Sequence, residues 1–470
     1  MTPKLRIDRT EAAPLQDQLA ARIRAAVAAG HLAPGARLPS ARSLAAQLGV
    51  ARGTVDAAYA RLGGEGYLVT RGPAGTIVAP ALRIGASPTT RDRRAVMPPM
   101  ASPVAPPWPR VLPFRMGLPA LDLFPRALWA RLVARAARRI GGAGLTYPDP
   151  AGLPALREAI AAYLAVARGV ACGPGQVIVT AGYQGALALL ARVLLRPGEA
   201  VWCEEPGYPL ARQALAAAGA RLLPLPVDGE GMAVPDAAAP ARLAVVTPAH
   251  QAPTGVALSL PRRQALLDWA ARRDAFVIED DYDAEFHYVG PRLPALKALD
   301  AGDRVILAGS FSKTLFPGLR LGYLVAPAAL AAALARASLL LAHGAPGLEQ
   351  AAVAAFLAEG HFARHLKRMR GAYAARRAAL SGAVAAAFGG SLALTAGPGG
   401  LHLLARCPEG TPAGWDTGAV ARAEAAGLGP GALSAQFLGP ARAQGLLLGF
   451  TNIADTEAAA LAAALRRAVG

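Results

Sequence analysis

Over most of its length, the chain alternates short apolar runs with alanine-rich stretches of helical character. The runs, rich in β-branched residues, lie at 176–180, 200–204, 243–247, 276–280, 305–309 and 323–326. Strands that alternate with helices predict an α/β fold, with a mostly parallel sheet and helices on both faces. Because such a sheet binds ligands beyond the carboxyl ends of its strands, we expect functional side chains just after each run.

Residues 80–112 are rich in proline, serine and arginine and lack helical or strand periodicity, which is typical of a linker. This segment divides a basic N-terminal region, residues 1–79, from a large C-terminal region, residues 113–470. With 470 residues, 54% of them hydrophobic, the chain has ample material for more than one globular core.

The chain is strongly basic, with 49 Lys and Arg against 31 Asp and Glu and a formal charge of +18. Such an excess favours nucleic acid or an acidic membrane surface as partner, although arginine-rich codon usage has the same effect. Cys172, Cys203 and Cys407 show no disulfide or zinc spacing, which fits a reducing cytoplasm. The N-terminus lacks an apolar signal core, and the apolar run 324–342 contains proline and arginine, so we expect no membrane span.

In the N-terminal region, apolar residues recur every four positions between 15 and 27, which predicts one face of a helix. A second, short helix is expected after Ser40 as N-cap, and Gly49 separates it from a third that begins near Arg52. Residues 67–79 then predict two short strands around "GPAG". This order is that of a winged helix-turn-helix.

A winged helix-turn-helix places the start of its recognition helix in the major groove of DNA. Arg52 and Thr54 stand at that start, and Arg42 opens the preceding helix. Arg71 and Gly75 lie where the wing would meet the DNA backbone. On the residues alone, a small protein-binding helical module with surface arginines remains an alternative.

The stretch "LAPGARLPSARSLAAQLGVARGTVDAAYARLGGEGYL" closely resembles the DNA-binding domain of the GntR family, a resemblance that covers nearly all of residues 12–79. In that family, the arginine of "PSAR", the arginine that opens the recognition helix and a threonine two positions later touch DNA. The resemblance implies these roles for Arg42, Arg52 and Thr54. Some members carry a further arginine at the position of Asp56.

In the C-terminal region, the most informative motif is "GSFSKTLFPGLRLGY", which follows the run 305–309. Ser310, Ser312 and Arg320 together can hold a dianionic phosphate. Lys313 lies beside them, and a lysine amine in a desolvated site is neutral enough to attack a carbonyl. The motif therefore predicts a phosphorylated ligand next to a reactive lysine.

Three weaker motifs follow other runs. "DDYD" at 280–283 presents carboxylates, "EPGYP" fixes Tyr208 as a flat aromatic surface, and a glycine turn at 182 opens a helix whose N–H groups can bind an anion. Each motif also has an alternative explanation without a ligand. The carboxylates can form a solvated acidic turn, the tyrosine can simply pack in a turn, and the glycine turn occurs in many strand-to-helix connections. No histidine cluster accompanies the carboxylates, which disfavours a metal. Taken with Lys313, the set predicts pyridoxal 5′-phosphate as cofactor.

Residues 113–470 resemble an aminotransferase of the large aspartate-aminotransferase group. The motifs "LTYPDPAGLPALREAIAAYL", "EEPGYP", "TPAHQAPTG", "IEDDYDAEF" and "GSFSKTLFPGLRLGY" appear in that family's order. The resemblance implies pyridoxal-phosphate fold type I, with a smaller C-terminal α+β subdomain, and Lys313 as the catalytic lysine that binds the cofactor. The other implied cofactor-binding residues are Asp280, Tyr282, Tyr208, Ser310, Ser312, Arg320, Tyr183, Gln184 and His250. Asp281 and Asp283 are assigned structural roles.

Two departures from the aminotransferase pattern bear on how a substrate would be held. The asparagine that opens "NPTG" is Ala252 here. Leu446 to Leu448 occupy the late strand where many aminotransferases carry a carboxylate-binding arginine. Arg406 and Arg442 are the candidates to replace that arginine.

The fusion of a GntR-type winged helix with an aminotransferase-like domain is similar to the MocR group of bacterial regulators. That resemblance implies a cytoplasmic, head-to-tail homodimer that binds a double-stranded DNA operator. It implies an effector that is pyridoxal phosphate itself, or an amine or amino acid that forms an external aldimine with it. The controlled genes would serve vitamin B6 or amine and amino-acid metabolism.

Two other hypotheses stay open. One is a working or bifunctional pyridoxal-phosphate-dependent aminotransferase with an accessory DNA-binding domain, which Ala252 and the missing late arginine disfavour. The other is a scaffold that has lost cofactor binding, which Lys313 and its neighbours disfavour. We favour the transcriptional regulator.

Overall fold

The computed structural model describes residues 7–9, 13–72, 75–81, 111–235, 240–291, 294–395 and 397–470. The chain divides into two compact units, Met1–Pro107 and Trp108–Gly470, each of which is considered by itself. Most of the predicted linker lies outside the described residues.

The described residues of the smaller unit form three helices and a two-stranded hairpin: α1 Leu15–Ala28, α2 Ala41–Leu48, α3 Arg52–Gly64, β1 Leu68–Thr70 and β2 Thr76–Val78. The Ser40 hydroxyl accepts a hydrogen bond from the backbone N–H of Ser43 and so caps the start of α2. Gly49 ends this helix with a left-handed φ of 64°. Leu19, Ile23 and Val27 form the predicted apolar face of α1 and are buried in the core of this unit. The predicted winged helix-turn-helix is confirmed.

The larger unit is built around an eight-stranded, mostly parallel sheet. Its strands are β3 Val177–Thr180, β4 Ala200–Glu205, β5 Arg221–Asp228, β6 Gly231–Met232, β7 Leu243–Val246, β8 Phe276–Asp281, β9 Val305–Ser310 and β10 Gly322–Val325. In space they follow the order β3-β10-β9-β8-β7-β4-β5-β6, and β10 and β6 run antiparallel to their neighbours. All six predicted runs are strands of this sheet.

Helices before, between and after these strands supply the layers on either side. They are α4 Arg126–Arg139, α5 Pro154–Arg168, α6 Gly182–Leu194, α7 Pro209–Ala217, α8 Leu260–Arg272, α9 Ala328–Ala342 and α10 Gly347–Ala358. Successive strand residues face different cores: Val201 packs in the core that contains α6 and α9, whereas Trp202 stacks on Trp269 of α8 with ring centroids 4.0 Å apart. Within the described ranges, no helix is both long and apolar enough to cross a bilayer.

The strand β5 was missing from the sequence prediction because two prolines interrupt its pattern. It pairs with β4 from residue 221 to 226, whereas β6 covers only its last two residues. The carbonyl of Pro226 accepts the N–H of Ala233 and so points away from β4, and Pro224 lies on the same side. The two prolines therefore lack a backbone N–H only on the side of β5 that faces away from β4, where no hydrogen bond between the two strands is lost.

A second, antiparallel sheet forms the predicted smaller subdomain. Its strands are β11 Ala393–Thr395, β12 His402–Arg406, β13 Gly431–Ala432 and β14 Gly445–Gly449, in the order β11-β12-β14-β13. Three helices pack their apolar residues against one face of this sheet: α11 His361–Phe388, α12 Trp415–Ala425 and α13 Ala458–Val469. The predicted fold class is confirmed.

A buried ion pair ties the end of α5 to the end of β8. Arg168 donates to both carboxylate oxygens of Asp281, from Nη2 at 2.8 Å and from Nε at 3.1 Å. Both residues are buried. Asp281 therefore anchors a helix, and Asp280 faces the other side of the sheet because successive strand residues alternate.

We expect Arg168→Met to lower the unfolding free energy of the larger unit by about 3–5 kcal/mol, because it leaves the Asp281 carboxylate buried without its partner. The matched control is Arg242→Met, which breaks a pair whose side chains are 36% and 73% exposed. That change should cost less than about 1 kcal/mol. Thermal unfolding followed by circular dichroism compares them, and equal shifts of the two midpoints would contradict the anchoring role.

Candidate ligand site and nucleic-acid interface

Lys313 lies three residues after β9, in a turn at the carboxyl end of the large sheet. Its Nζ donates to the carbonyl oxygen of Gly117 at 2.6 Å. Burial lowers the pKa of Lys313, and the nearby carboxylates of Asp280 and Asp283 oppose that shift only in part. A lysine that loses its proton more easily is the nucleophile that a carbonyl ligand needs.

Sequence reasoning missed Gly117, the acceptor of the Lys313 hydrogen bond. Its φ is 75°, and a Cβ at this position would lie 2.6 Å from the lysine Nζ. A side chain there would push the lysine amine away from this carbonyl, and the left-handed φ itself favours glycine. The two residues are 196 positions apart, and no local pattern marks their contact.

Asp280 reaches the same edge on β8, the strand next to β9. It is buried, and its Oδ1 has no partner at hydrogen-bonding geometry among the described residues. Burial raises the pKa of this carboxyl well above its usual range, while the Tyr183 hydroxyl opposes the shift. A buried carboxyl with a free oxygen is a suitable partner for a cationic ring nitrogen.

An anion cradle forms where β9 ends and α6 begins. Ser310 Oγ accepts the N–H of Ser312 at 3.2 Å, so both hydroxyl residues lie in one turn. Arg320 has a left-handed φ of 52° and donates to the carbonyl of Ala181 at 3.3 Å, beside the start of α6. Hydroxyls, a guanidinium and the free N–H groups of a helix start together suit a phosphate dianion.

Aromatic residues lie at this edge as well. Tyr183 and Gln184 are the second and third residues of α6, and the Tyr183 and Tyr208 rings have centroids 6.5 Å apart with planes at 36°. Tyr208 is 39% exposed, which leaves its ring accessible to a flat ligand. The Tyr282 hydroxyl donates to the carbonyl of His250 at 3.1 Å.

A buried carboxyl holds the loop that follows β7. Glu204 accepts from the Thr247 N–H at 3.1 Å, from the Thr247 hydroxyl at 2.6 Å and from the Gln251 amide at 3.1 Å. Burial raises the pKa of Glu204 to about 7, although these donors oppose the shift. Sequence reasoning missed this group, even though Glu204 is one of two acidic residues at the end of β4.

His250 lies in the same loop, and neighbouring side chains hold its ring. Its Nδ1 is 2.9 Å from Asp283 Oδ1, and its Nε2 is 3.5 Å from Nδ1 of His287. The structure thus connects His250 to the other predicted cofactor residues through its carbonyl and Tyr282. In the part of the chain that the structure describes, no group of three or more His, Cys, Asp and Glu side chains is arranged to hold a metal ion.

Hydrogen bonds from Glu205 and Arg212, which flank Tyr208 in the sequence, join this segment to residues 436–439 of the smaller subdomain; we call this set of bonds the clamp. Glu205 accepts the N–H groups of residues 438 and 439 at 2.8 and 2.9 Å. Arg212 donates to Glu205 at 2.7 Å and to the carbonyl of Gln436 at 2.6 Å. The position of the Tyr208 ring therefore depends on the segment 436–439.

Among the described residues, neither candidate for the missing late arginine has a hydrogen bond or ion pair to the groups around Lys313. His402 begins β12, with its Nε2 2.8 Å from the carbonyl of Pro253, next to Ala252. Arg406 ends the same strand, about 13 Å further along. Arg442 is exposed in the loop before β14.

In the smaller unit, the predicted DNA-contacting residues lie at the expected places. Arg42 in the first turn of α2 and Arg52 at the start of α3 are exposed, and Thr54 is half-buried. The N–H of Arg71 donates to the carbonyl of Gly75 at 2.9 Å, which closes the turn of the wing. Within this unit, Arg52 at the start of α3 is exposed, as insertion of that helix into a major groove requires.

Two further residues of this unit modify that surface. Asp56 lies one turn along α3, with its carboxylate 3.3 Å from the Arg52 guanidinium. Arg37 forms a β-bridge with Ile77, and its Nε lies 3.2 Å from where a Cβ of Gly75 would be. Sequence reasoning missed Arg37 because it lies in the loop before α2, outside any motif helix.

Comparison with known families divides the chain in the same way. The family described as "Bacterial regulatory proteins, gntR family" matches residues 15–78. The family described as "Aminotransferase class I and II" matches residues 123–422.

Two curated relatives are regulators by name. The chain is 40% identical over 456 residues to the probable rhizopine catabolism regulatory protein MocR of Rhizobium meliloti, which covers 95% of this chain and 92% of that protein. It is 38% identical over 371 residues to the pyridoxine biosynthesis transcriptional regulator PdxR of Corynebacterium glutamicum, which covers 78% of each.

Solved structures match the larger unit. The alpha-aminoadipate aminotransferase LysN of Thermus thermophilus has a TM-score of 0.69 and 32% identity, covering 76% of this chain and 92% of that one. That protein was crystallised with N-(5′-phosphopyridoxyl)-L-leucine. The kynurenine aminotransferase of Pyrococcus horikoshii has the same TM-score at 25% identity, covering 76% of this chain and 90% of that one.

Because burial lowers the pKa of Lys313, its neutral fraction should grow at lower pH than in free lysine. The rate at which added pyridoxal phosphate develops a bound chromophore should therefore rise with a midpoint below 10.5, the ordinary lysine value. N-acetyl-lysine under the same conditions corrects for titration of the aldehyde itself. Lys313→Ala should give no lasting chromophore, and a wild-type midpoint at or above that of the free amine would contradict the desolvated site.

Proposed function

The chain belongs to the MocR group of GntR-type transcriptional regulators, and from this membership we propose that a small amine, bound in its aminotransferase-like domain, controls its action on DNA. The proposal rests on one observation. One chain contains both an intact lysine site for an aldehyde cofactor and a winged helix-turn-helix with exposed arginines. The chain is thus a DNA-binding regulator, and the larger unit serves as its sensor.

The predicted cofactor, pyridoxal 5′-phosphate, is confirmed at the level of the family. When bound, it supplies an aldehyde that captures amines and a ring that withdraws electrons. Of this chain's residues, Lys313 would hold the aldehyde carbon and Asp280 the ring nitrogen. Ser310, Ser312 and Arg320 would hold the phosphate.

The remaining members of the set support the ring. Tyr208 would stack on it and Tyr282 would lie at its hydroxyl side. Tyr183 and Gln184 would offer backbone N–H groups from the start of α6. His250 would position Tyr282 through the 3.1 Å bond to its carbonyl.

The effector is an amine, an amino acid or pyridoxal phosphate itself, and the regulated genes serve vitamin B6 or amine and amino-acid metabolism. The names of two relatives support this range, since one concerns rhizopine catabolism and the other pyridoxine biosynthesis. A ligand shifts the regulator only as far as it binds one conformation better than the other. The clamp from Glu205 to the segment 436–439 offers a route by which a change at Tyr208 reaches the smaller subdomain.

Aminotransferase activity is the second candidate function, because the lysine, ring-nitrogen and phosphate residues are complete. A relative named 2-aminoadipate transaminase, from Thermus thermophilus, is 34% identical over 316 residues, 65% of this chain. A screen of amino acids and amines for conversion of the bound cofactor to its amine form decides between the two. Conversion by any of them would make the protein bifunctional.

A head-to-tail homodimer is the proposed assembly, supported by an exposed apolar face on the larger unit. Leu145, Tyr147, Leu340 and Leu341 are each more than half exposed. The Tyr147 ring lies 5.3 Å from the His343 ring, which places the two segments side by side. Such a patch on a large protein marks an interaction surface, and a second copy of the chain is the occupant that we propose.

We expect Arg52→Ala to weaken binding to the DNA upstream of the protein's own gene by roughly 5- to 100-fold, the range for one lost base contact. Arg22→Ala removes the same charge from the exposed face of α1 and is the matched control. Gel-shift titrations at physiological salt compare the two, and the absorbance of the bound cofactor should be unchanged in both. If the wild-type chain binds no upstream site above the non-specific level, the regulatory proposal fails.

If the exposed apolar face joins two copies, Leu340→Glu should shift the protein from dimer to monomer, because it places a charge in a desolvated contact. Val166→Glu is the control, since Val166 is an exposed apolar residue on α5, outside this patch. Sedimentation velocity measures both variants. An unchanged dimer in the Leu340 variant would contradict the assigned surface.

A further inference from the structure

The two faces of the small sheet differ in what they pack against. Leu403 and Ala405 of β12, with Leu446 and Leu448 of β14, belong to the core that contains α11, α12 and α13. The residues between them, Leu404 and Leu447, lie opposite each other on the other face. With Leu433 they form a separate buried cluster, which we call the apolar wall and against which Met116, Phe437 and Ala443 pack.

The apolar wall adjoins the Lys313 site. Met116 packs on the wall, and the next residue, Gly117, accepts the hydrogen bond of the lysine Nζ. On the same face of the sheet, two residues before Leu404, His402 reaches the carbonyl of Pro253 beside Ala252. The three leucines of the wall are themselves buried, so a ligand joined at Lys313 would meet the wall through half-buried Met116, with the Ala252 loop as its other neighbour.

Three arginines of adjoining segments make contacts with other groups. Arg115 pairs with a glutamate of α12 at 3.7 Å. Arg377 donates to a backbone carbonyl at 2.5 Å and lies 5.2 Å over the Tyr288 ring. Arg406 is at the far end of β12, opposite Gly445.

A carboxylate is costly against such a surface, because it loses water and gains neither an ion pair nor a hydrogen bond. If the carbon that bears the amine nitrogen carries a hydrogen atom or an alkyl group in place of the carboxylate, no hydration is lost there. Resting on the function proposed above, we propose that the effector is a primary amine whose nitrogen-bearing carbon carries no carboxylate. The inference concerns that carbon alone and leaves other polar groups along the ligand free.

The test uses the wild-type full-length chain loaded with pyridoxal phosphate and two matched ligand pairs: isoamylamine with L-leucine, and phenethylamine with L-phenylalanine. Equilibrium titrations follow the absorbance of the bound cofactor, and free pyridoxal phosphate with the same ligands gives the intrinsic reactivity. After that correction, each amine should bind at least about tenfold more tightly than its amino acid. An amino acid that binds as tightly as its amine, or the failure of both pairs to bind, would overturn the inference.

A substitution in the wall provides a gain-of-function test. Leu447→Arg introduces a cation on the face that adjoins Lys313 and should shift the ligand ratio towards the amino acid by about tenfold or more. Leu447→Met keeps the wall apolar at similar volume and should leave the ratio unchanged. If the Leu447→Arg variant does not retain cofactor, the titrations of the wild-type chain alone decide whether the effector lacks this carboxylate.

The two proposals fail in different ways. A chain that takes up no cofactor, or that binds no upstream DNA above the non-specific level, contradicts the regulatory function and removes the basis of the inference. A chain that does both but prefers the amino acids contradicts the inference alone. Gel shifts with each ligand pair complete the test, since the amine should change operator affinity at a lower concentration than the amino acid.

Discussion

Parallel strands end at one edge of a sheet, and that constraint assembles the site of the larger unit. Asp280 at the end of β8 and Ser310 at the end of β9 are neighbours because the two strands are, and Lys313 follows three residues later. Glu204 reaches the same edge on β4, and the start of α6 brings its N–H groups from β3. Residues from four separate stretches therefore meet at one edge, because the hydrogen-bond ladder of the sheet positions them.

That constraint also explains which parts of the site were predictable. Residues that directly follow a strand, such as Asp280 and Lys313, could be placed from the sequence because strand and motif are contiguous. Gly117 could not, since it reaches the lysine from 196 residues away and its backbone, not its type, makes the contact. The Glu204 network was hidden for a similar reason: three donors from a distant loop give an ordinary glutamate its environment.

The smaller unit shows the same division. The helices and the hairpin followed from periodicity, caps and glycine turns, each a local signal. Arg37 could not be predicted, because its place beside Gly75 depends on a β-bridge between a loop and the wing. In the larger unit, the replacement of a late arginine by leucines was visible in sequence. That Leu447 faces away from the helical core required the register of β14 against β12.

The two prolines on the outer side of β5 have a consequence beyond the strand itself. An exposed sheet edge presents N–H and C=O groups to any extended chain that meets it, which leads to edge-to-edge aggregation. Pro224 and Pro226 remove donors at successive outward positions, and the Pro226 carbonyl already accepts the N–H of Ala233, so an incoming strand would find an incomplete set of partners. Large parallel sheets fold slowly and expose such edges while they form. The two prolines therefore make the outer side of β5 a poor template for edge-to-edge pairing.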